Sequence, residues 1–267
     1  MLIANMAMSD LLYPIFLFPV RLTERYVGSW FIGGTLGQAL CKIHVFLADI
    51  SMLVSIQSLF LITVDRFGAV VVPLRSPLIR RKVCPYLIVG TWILAAAFFS
   101  PYLFAFKLVE YPEEMWCELQ WEEAFGEKSS LAIYGPAVVT VCFCIPLVLL
   151  VILYSIILIK LKQQAHPGEQ STNIEKQRTR RDKKVLKMAI AIVLVFFICF
   201  IPFVIGVAIY FYAPDFRSSC IFQVYYIVSS FTGYANCAIN PIICLILSSN
   251  YRHALKRLVS CCDVVQE

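Results

Sequence analysis

The stretch LFLITVDRFGAVVVPL, from Leu59 to Leu74, places an Asp-Arg pair at the end of an apolar run that resumes after it. Charged side chains are costly in apolar surroundings, so Asp65 and Arg66 need an explanation at this point of the chain. The simplest is an arginine whose stem lies in the membrane while its head group reaches the interface. The rest of the sequence decides between that interpretation and a functional one.

The composition around this stretch indicates a membrane protein. Of the 267 residues 60% are apolar and only 15% are charged, whereas soluble domains carry about 25% charged residues. A membrane-spanning helix needs about 20 mostly apolar residues. Six stretches of that kind predict an all-α protein with one transmembrane domain over residues 1–247, with spans at about 2–20, 43–64, 86–106, 131–159, 185–212 and 221–247.

The distribution of charge predicts the orientation of these spans. Lysine and arginine concentrate after the second and fourth spans and in the tail, which places those segments and the C-terminus in the cytoplasm. The segment before the fourth span is acidic instead and is expected to form an extracellular hairpin. Its glutamates would attract a cationic partner, although an ordinary solvated loop is the alternative. They are Glu110, Glu113, Glu114, Glu118, Glu122, Glu123 and Glu127.

Several motifs resemble those of rhodopsin-like (class A) G-protein-coupled receptors. TVDRF followed by VVVPL is similar to the Asp-Arg-Tyr motif and the Pro-Leu that follows it in this family. Other family landmarks occur in the same order: NMAMSDLL, SWFIGG, Trp92, Pro146, Tyr154, FFICFIPF and NPIIC. The six spans then correspond to family helices two to seven. The resemblance therefore implies a seven-helix receptor bundle that lacks its first helix here.

The resemblance also implies an activation switch at the cytoplasmic end. Arg66 would pair with Asp65 and with Asp182 in the inactive state, because a guanidinium-carboxylate pair can exist in two discrete arrangements. On activation the sixth helix would move away and Arg66 would face the G protein. The other switch positions implied by the family are Tyr154, Phe196, Phe200, Pro202, Asn240 and Pro241. Three residues depart from the family pattern: Phe200 replaces Trp, Cys244 replaces Tyr, and Phe67 replaces Tyr.

A sodium pocket is expected around Asp10, because an ionisable residue in the middle of a membrane is a functional candidate by default. Ser55, Asn236 and Asn240 match the remaining family positions of such a pocket. Carboxylate, hydroxyl and amide oxygens suit a hard cation such as Na⁺. A water-filled polar cluster is the alternative, and no other cofactor is expected.

The cysteines have two expected roles. The resemblance implies a disulfide between Cys41 and Cys117 on the oxidising outer face. After the last span, residues 248–267 fit an amphipathic helix on the membrane surface followed by a cytoplasmic tail. Cys261 and Cys262 in this segment are candidates for palmitoylation, with two free thiols as the alternative.

Two residues that amine receptors and opsins need for their ligands are absent here, and this narrows the class of ligand. The position of the aspartate of amine receptors is Ala48, and Asp49 follows it with its side chain rotated by about 100°. The position of the Schiff-base lysine of opsins is Tyr234. The stretches ANMAMSDLL and KMAIAIVLVFFICFIPF are instead most similar to receptors of the neuropeptide Y, neuropeptide FF and tachykinin type. This similarity implies a basic, C-terminally amidated peptide, with candidate contacts at Asp49, Phe200, Tyr234, Glu113, Glu114 and Glu118.

The leading functional hypothesis is a peptide receptor of the plasma membrane that activates a heterotrimeric G protein. The family implies arrestin, a receptor kinase and membrane lipid as further partners, and no aromatic-basic pattern indicates nucleic acid. A truncated, non-signalling isoform that dimerises with other receptors is the alternative. A transporter is disfavoured because the halves show neither a repeat nor a pair of broken helices. An enzyme is disfavoured because no nucleophile-base or metal-ligand set occurs in the sequence.

Overall fold

The computed structural model describes residues 1–72, 78–112, 114–126, 128–164, 173–217 and 219–247. Helices dominate these ranges, with one short β-hairpin between the third and fourth long helical segments. The elements are α1 (Leu2–Val27), α2 (Gly34–Val70), α3 (Cys84–Phe99), α4 (Tyr102–Ala105), β1 (Phe106–Glu110), β2 (Met115–Leu119), α5 (Trp121–Phe125), α6 (Lys128–Val139), a π-helical turn (Thr140–Cys144), α7 (Ile145–Gln164), α8 (Asn173–Tyr212), α9 (Pro214–Arg217) and α10 (Cys220–Leu247).

Four of the described helical stretches are long and apolar enough to cross a membrane: Leu2–Thr23, Gly34–Val70, Ser130–Lys160 and Ile190–Tyr212. Outward-facing apolar residues such as Ile93, Ile198 and Phe231 stay exposed, as expected of lipid-facing side chains. The prediction of a helical membrane bundle is confirmed. The third predicted span, residues 86–106, differs at its outer end. Helix α3 ends at Phe99, because Pro101 has no N–H with which to continue the helix, and Phe106 already belongs to strand β1.

Helix α2 forms the centre of the bundle. Its buried residues Leu53, Val54 and Leu59 belong to one apolar cluster that also contains Phe143 and Phe196 from the helices around it. Because α2 runs from the outer loop to the Asp-Arg motif, it carries residues that contact Asp10, the outer hairpin and Tyr154. The packing of this helix therefore fixes the relative positions of those sites.

The outer hairpin is tied to the bundle at three points. Strands β1 and β2 pair antiparallel with Leu108 opposite Cys117, and a disulfide joins Cys117 to Cys41 of α2. The side-chain amide of Gln38 donates to the carbonyl of Phe106 and accepts from the N–H of Leu108, at 3.3 and 2.9 Å. The backbone N–H of Trp30 donates to the carbonyl of Met115 at 2.7 Å. The expected hairpin and the expected disulfide are both present.

Candidate functional site

The first candidate site joins three helices around Asp10, which is only 1% exposed. Its carboxylate accepts a hydrogen bond from the hydroxyl of Ser55 on α2 at 2.6 Å. It accepts a second bond from the amide of Asn240 on α10 at 2.9 Å. Residues far apart in the sequence therefore meet at one carboxylate, as expected for the residues of a single pocket.

Two amide oxygens of this site have no hydrogen-bond partner among the described residues. They are Oδ1 of Asn236 and Oδ1 of Asn240, and both residues are buried. An unpaired buried acceptor costs about 1–3 kcal/mol. Asn240 also donates to Asp10, and Asn236 lies one turn before Asn240 on α10. Carboxylate and amide oxygens are ligands that Na⁺ prefers, and a water molecule could satisfy the same atoms. The residues therefore fit the expected ion, and sodium binding stays a prediction.

A second polar network lies beside the first and was missed by the sequence reasoning. The side-chain N–H of Asn5 donates to the hydroxyl of Ser58 at 2.8 Å, and the indole N–H of Trp92 donates to the side-chain oxygen of Asn5 at 3.0 Å. Trp92 and the stretch NMAMSDLL, which begins at Asn5, were identified as landmarks, but their contact was not. The signal that was available is the position of Asn5 within the first apolar span, because buried polar groups are nearly always paired.

At the cytoplasmic end of α2, Arg66 forms an ion pair with the neighbouring Asp65. One turn earlier on the helix, the hydroxyl of Thr63 donates to the hydroxyl of Tyr154 on α7 at 3.2 Å, and both residues are buried. The positive charge of Arg66 acts on Tyr154. The structure thus brings Asp65, Arg66 and Tyr154 together and adds Thr63 to the set. The side chain of Asp182 lies outside the described residues.

The aromatic switch positions lie in the core. The rings of Phe196 and Phe200 have centroids 4.4 Å apart, and Phe143 lies 5.7 Å from Phe200. Phe143 reaches this place from the π-helical turn before Pro146, where the missing proline N–H favours a wider turn. Phe200 is only 2% exposed, so the structure places it as a core residue, and its contact with a ligand stays a prediction.

Hydroxyl groups of α10 bond to carbonyls near the proline of α8. Tyr225 donates to the carbonyl of Pro202 at 2.7 Å. The hydroxyl of Thr232 shares its proton between the carbonyl of Ser229 in α10, at 2.8 Å, and that of Cys199, at 3.3 Å. A proline leaves a helix carbonyl without its usual partner and opens the hydrogen-bond ladder nearby. These contacts join the two helices at the position where the family implies a hinge.

In the outer half of the bundle Ala48 and Asp49 face different neighbours. Ala48 is 2% exposed and packs with Tyr13, Leu17 and Cys237 of α1 and α10. Asp49 is partly exposed, and its charge acts on Tyr102 of α4 and Tyr134 of α6. The structure thus shows the rotation that the sequence predicts, and Asp49 faces away from the side on which amine receptors place their aspartate.

The acidic hairpin presents carboxylates beside aromatic rings. The hydroxyl of Tyr111 donates to Glu118 at 3.2 Å, and the indole N–H of Trp116 donates to Glu114 at 2.9 Å. These residues and Pro112 line an open recess of about 520 Å³. The negative charge of Glu118 raises the pKa of Tyr111 above its usual value. The hairpin therefore presents negative charge to the outside in a defined arrangement.

Several expected site residues lie outside the described part of the chain. Glu113, Glu127 and residues 248–267, with Cys261 and Cys262, fall in the gaps between the described ranges or after them. The side chains of Tyr234, Pro241 and Cys244 are also outside the description, although their backbone belongs to α10. Their expected roles in ligand binding, switching and lipidation stay predictions.

The chain was compared with known proteins. The model of the 7 transmembrane receptor (rhodopsin family) matches residues 1–243. The human (Homo sapiens) Substance-K receptor is 26% identical over 98% of this chain and 65% of its own length. Galanin receptor 2b of Danio rerio is 27% identical over 97% of this chain, and the match covers 65% of that receptor. The Neuromedin-K receptor of Oryctolagus cuniculus is 28% identical over 99% of this chain and 55% of its own length. The chain thus spans less than two thirds of the length of these relatives.

Proposed function

This chain belongs to the rhodopsin family of seven-transmembrane receptors, and we propose that it is a receptor for an extracellular basic peptide that activates a heterotrimeric G protein. The family consists of receptors, in agreement with the expectation that the chain is not an enzyme. The resemblance to neuropeptide receptors, including those of the tachykinin type, is likewise confirmed by the matched relatives. The plasma membrane, with the C-terminus in the cytoplasm, is the location that this function requires.

The observation that carries the proposal is the acidic hairpin above the bundle. Glu114 and Glu118 are exposed or partly exposed, and the disulfide and the Gln38 contacts hold their strands at the outer end of α2. A fixed cluster of negative charge raises the local concentration of cationic ligands and their association rate. A peptide with basic residues is the ligand that this charge favours.

The ligand test uses the peptides for which the relatives reported above are named: substance K, neuromedin K and galanin. We expect at least one basic member to stimulate nucleotide exchange on a purified G protein, and its affinity to fall as salt is raised. Replacing Glu114 and Glu118 by Gln should weaken binding at low salt severalfold. If affinity at low salt is unchanged in that double variant, the charge argument is wrong.

The coupling test uses Arg66. Arg66→Ala should abolish agonist-dependent exchange without loss of peptide binding, because it removes the proposed G-protein contact. Arg80→Ala is the matched control, since this arginine is also cytoplasmic in the predicted orientation but is exposed and outside the motif. If peptides bind and no exchange occurs in the unmodified chain, the non-signalling, dimerising isoform is the better hypothesis. Peptide-independent flux of a solute would favour a transporter.

The proposal includes a sodium ion at Asp10, with oxygens of Ser55, Asn236 and Asn240 as its other protein ligands. Support comes from the two unpaired amide oxygens in that pocket. Sodium should lower agonist affinity relative to an equal concentration of N-methyl-D-glucamine, and Asp10→Asn should remove the difference. Arrestin, a receptor kinase and membrane lipid are the further partners that the family implies.

A further inference from the structure

A glycine near the cytoplasmic end of α2 lets the loop between α2 and α3 approach the helix closely. Gly68 is buried, and a Cβ added there would lie 2.8 Å from Cβ of Leu78, 3.2 Å from its Cγ and closer still to its Cδ1. The normal contact between two carbon atoms is about 3.5–4.0 Å. The side chain of Leu78 therefore occupies the space that a side chain at position 68 would need.

The backbone at Gly68 does not itself require glycine. The described glycines with a positive φ are Gly28, Gly34 and Gly126, whereas Gly68 lies inside α2. A glycine inside a helix adds freedom to the unfolded chain and so destabilises the helix relative to alanine. Room for Leu78 is thus the feature of the structure that this glycine provides.

A side chain at position 68 would displace the loop rather than the helix. The last turns of α2 are held by Phe67, Val70 and Val71, which pack against the main apolar cluster. Leu78 is 47% exposed, so it can leave α2 without opening that cluster. The tip of its side chain could rotate away, but its Cβ is attached to the backbone and moves only with it. The clash at Cβ would therefore shift the backbone of the loop.

The contact lies at the same end of α2 as the Asp-Arg motif. Gly68 follows Arg66 by two residues, which corresponds to about 3 Å along the helix axis and about 200° around it. Leu78 is therefore held at the level of Arg66, on the other side of α2. The bond from the N–H of Val83 to the carbonyl of Arg80, at 2.9 Å, then leads the chain into α3. That bond uses backbone atoms alone, and the exposed side chain of Arg80 has no part in the contact at Gly68.

A partner that contacts Arg66 covers both sides of this helix end. A stable interface buries about 800 Å² on each protein, a patch about 30 Å across, whereas a helix is only about 10–12 Å wide. Leu78 keeps nearly half of its surface exposed, and an apolar side chain at a fixed place suits the core of an interface. A loop that is already ordered also avoids the entropy loss of becoming ordered on binding.

We propose that Gly68 is a positioning residue for G-protein docking, because the room it leaves seats Leu78 on the docking surface. The proposal rests on the proposed function and deepens it by naming a contact outside the Asp-Arg motif that prepares this surface. Loss of the contact should release the loop and weaken the affinity for the G protein.

The loop can be tested without a peptide or a G protein. Trypsin cleaves after lysine and arginine, and the exposed residues Arg80, Arg81 and Lys82 follow Leu78. The full chain in lipid nanodiscs is digested under native conditions, and cleavage after these three residues is measured by mass spectrometry. A loop that has left α2 presents these bonds to the protease more often. We expect cleavage to be about threefold faster in Gly68→Ala, and faster still in Gly68→Val.

Gly90→Ala is the matched control, because Gly90 also lies inside a helix and a Cβ added there meets no described atom within 4 Å. It should leave cleavage of the loop unchanged. Leu78→Ala removes the same contact from the other side, so the double variant Gly68→Ala/Leu78→Ala should be cleaved about as fast as the faster single variant. Unchanged cleavage in both Gly68 variants, or equal acceleration in Gly90→Ala, would overturn the proposal.

Docking is tested by nucleotide exchange at increasing concentrations of the G protein, with the most active of substance K, neuromedin K and galanin at saturation. Gly68→Ala should raise the half-saturating concentration of the G protein severalfold, with the maximal rate and the peptide affinity unchanged. General damage to the bundle would lower those two quantities as well. Faster cleavage with an unchanged half-saturating concentration would refute the role in docking. If the unmodified chain catalyses no exchange, the proposed function fails and the docking role with it, whereas the cleavage rates still show whether Gly68 seats the loop.

Discussion

Asp10 and Asp49 are two aspartates inside the same bundle, and their surroundings are opposite. Asp10 is almost fully buried and accepts hydrogen bonds from Ser55 and Asn240. Asp49 is partly exposed and, within the described residues, accepts none. A charge in apolar surroundings persists only where something offsets its desolvation. At Asp10 the protein supplies that compensation with hydrogen bonds, whereas at Asp49 it supplies the positive charge of Arg21 and no hydrogen bond among the described residues.

The comparison separates two kinds of functional carboxylate. A carboxylate held by hydrogen bonds from two other helices contributes to the stability of the bundle, so its loss should be felt in the absence of any ligand. A carboxylate without hydrogen bonds contributes less to the folded state, so its neutralisation should cost little stability. The following predictions use this difference, and each can be measured as a change in the free energy of unfolding.

The largest effect is expected for Asp10→Ala. The substitution leaves the hydroxyl of Ser55 and the amide of Asn240 as unpaired buried donors, each of which costs about 1–3 kcal/mol. We expect a loss of about 3 kcal/mol in the unfolding free energy, measured by denaturation in detergent micelles. Asp10→Asn keeps an acceptor oxygen and should lose clearly less. A loss below about 1 kcal/mol for the Ala variant would show that Asp10 is not held as the structure indicates.

A smaller effect is expected for Ser55→Ala, which removes one hydrogen bond to a charged group. Such bonds contribute about 1.5–3 kcal/mol, and we expect a loss near the lower value because Asn240 still donates to Asp10. Ser51→Ala is the matched control on the same helix. Among the described residues its hydroxyl donates to the Leu47 carbonyl within α2 and to no other helix, so its removal should cost less than about 0.5 kcal/mol. Equal losses for the two variants would contradict the special role of Ser55.

Sodium should increase the free energy of unfolding through Asp10 and not through Asp49, which distinguishes the two aspartates. At a concentration of ten times its dissociation constant, an ion that binds only the folded state stabilises it by about 1.4 kcal/mol. We expect this increase in the unmodified chain and in Asp49→Asn, but not in Asp10→Asn, when NaCl replaces N-methyl-D-glucamine chloride. An increase that survives in Asp10→Asn would place the ion elsewhere or identify a general salt effect.

The sequence predicted one of these sites much better than the other. Asp10 could be matched with Ser55, Asn236 and Asn240 because each is part of a motif with a fixed place in the family. The position of Tyr102, whose titration responds to the charge of Asp49, could not be predicted in the same way. Tyr102 lies where the predicted third span was expected to continue as a helix. Its actual position depends on the break at Pro101, which periodicity alone does not reveal.

Two further features depended on tertiary structure. The pairing of Asn5 with Ser58 and Trp92 joins three segments, and no local pattern indicates it. The π-helical turn before Pro146 shifts the helix register and brings Phe143 onto Phe200. The hydropathy pattern gave the helices and their order, whereas contacts between helices required the packed bundle.

The smallest effect on stability is expected for Asp49→Asn. The carboxylate has no hydrogen bond to lose within the described residues, and the loss of its attraction to the charge of Arg21 is offset by the removal of a charge from apolar surroundings. We therefore expect the unfolding free energy to stay within about 0.5 kcal/mol of the unmodified value or to rise, in the same denaturation assay and without ligand. A loss comparable to that of Asp10→Ala would mean that Asp49 has a structural partner, and the contrast between the two aspartates would disappear.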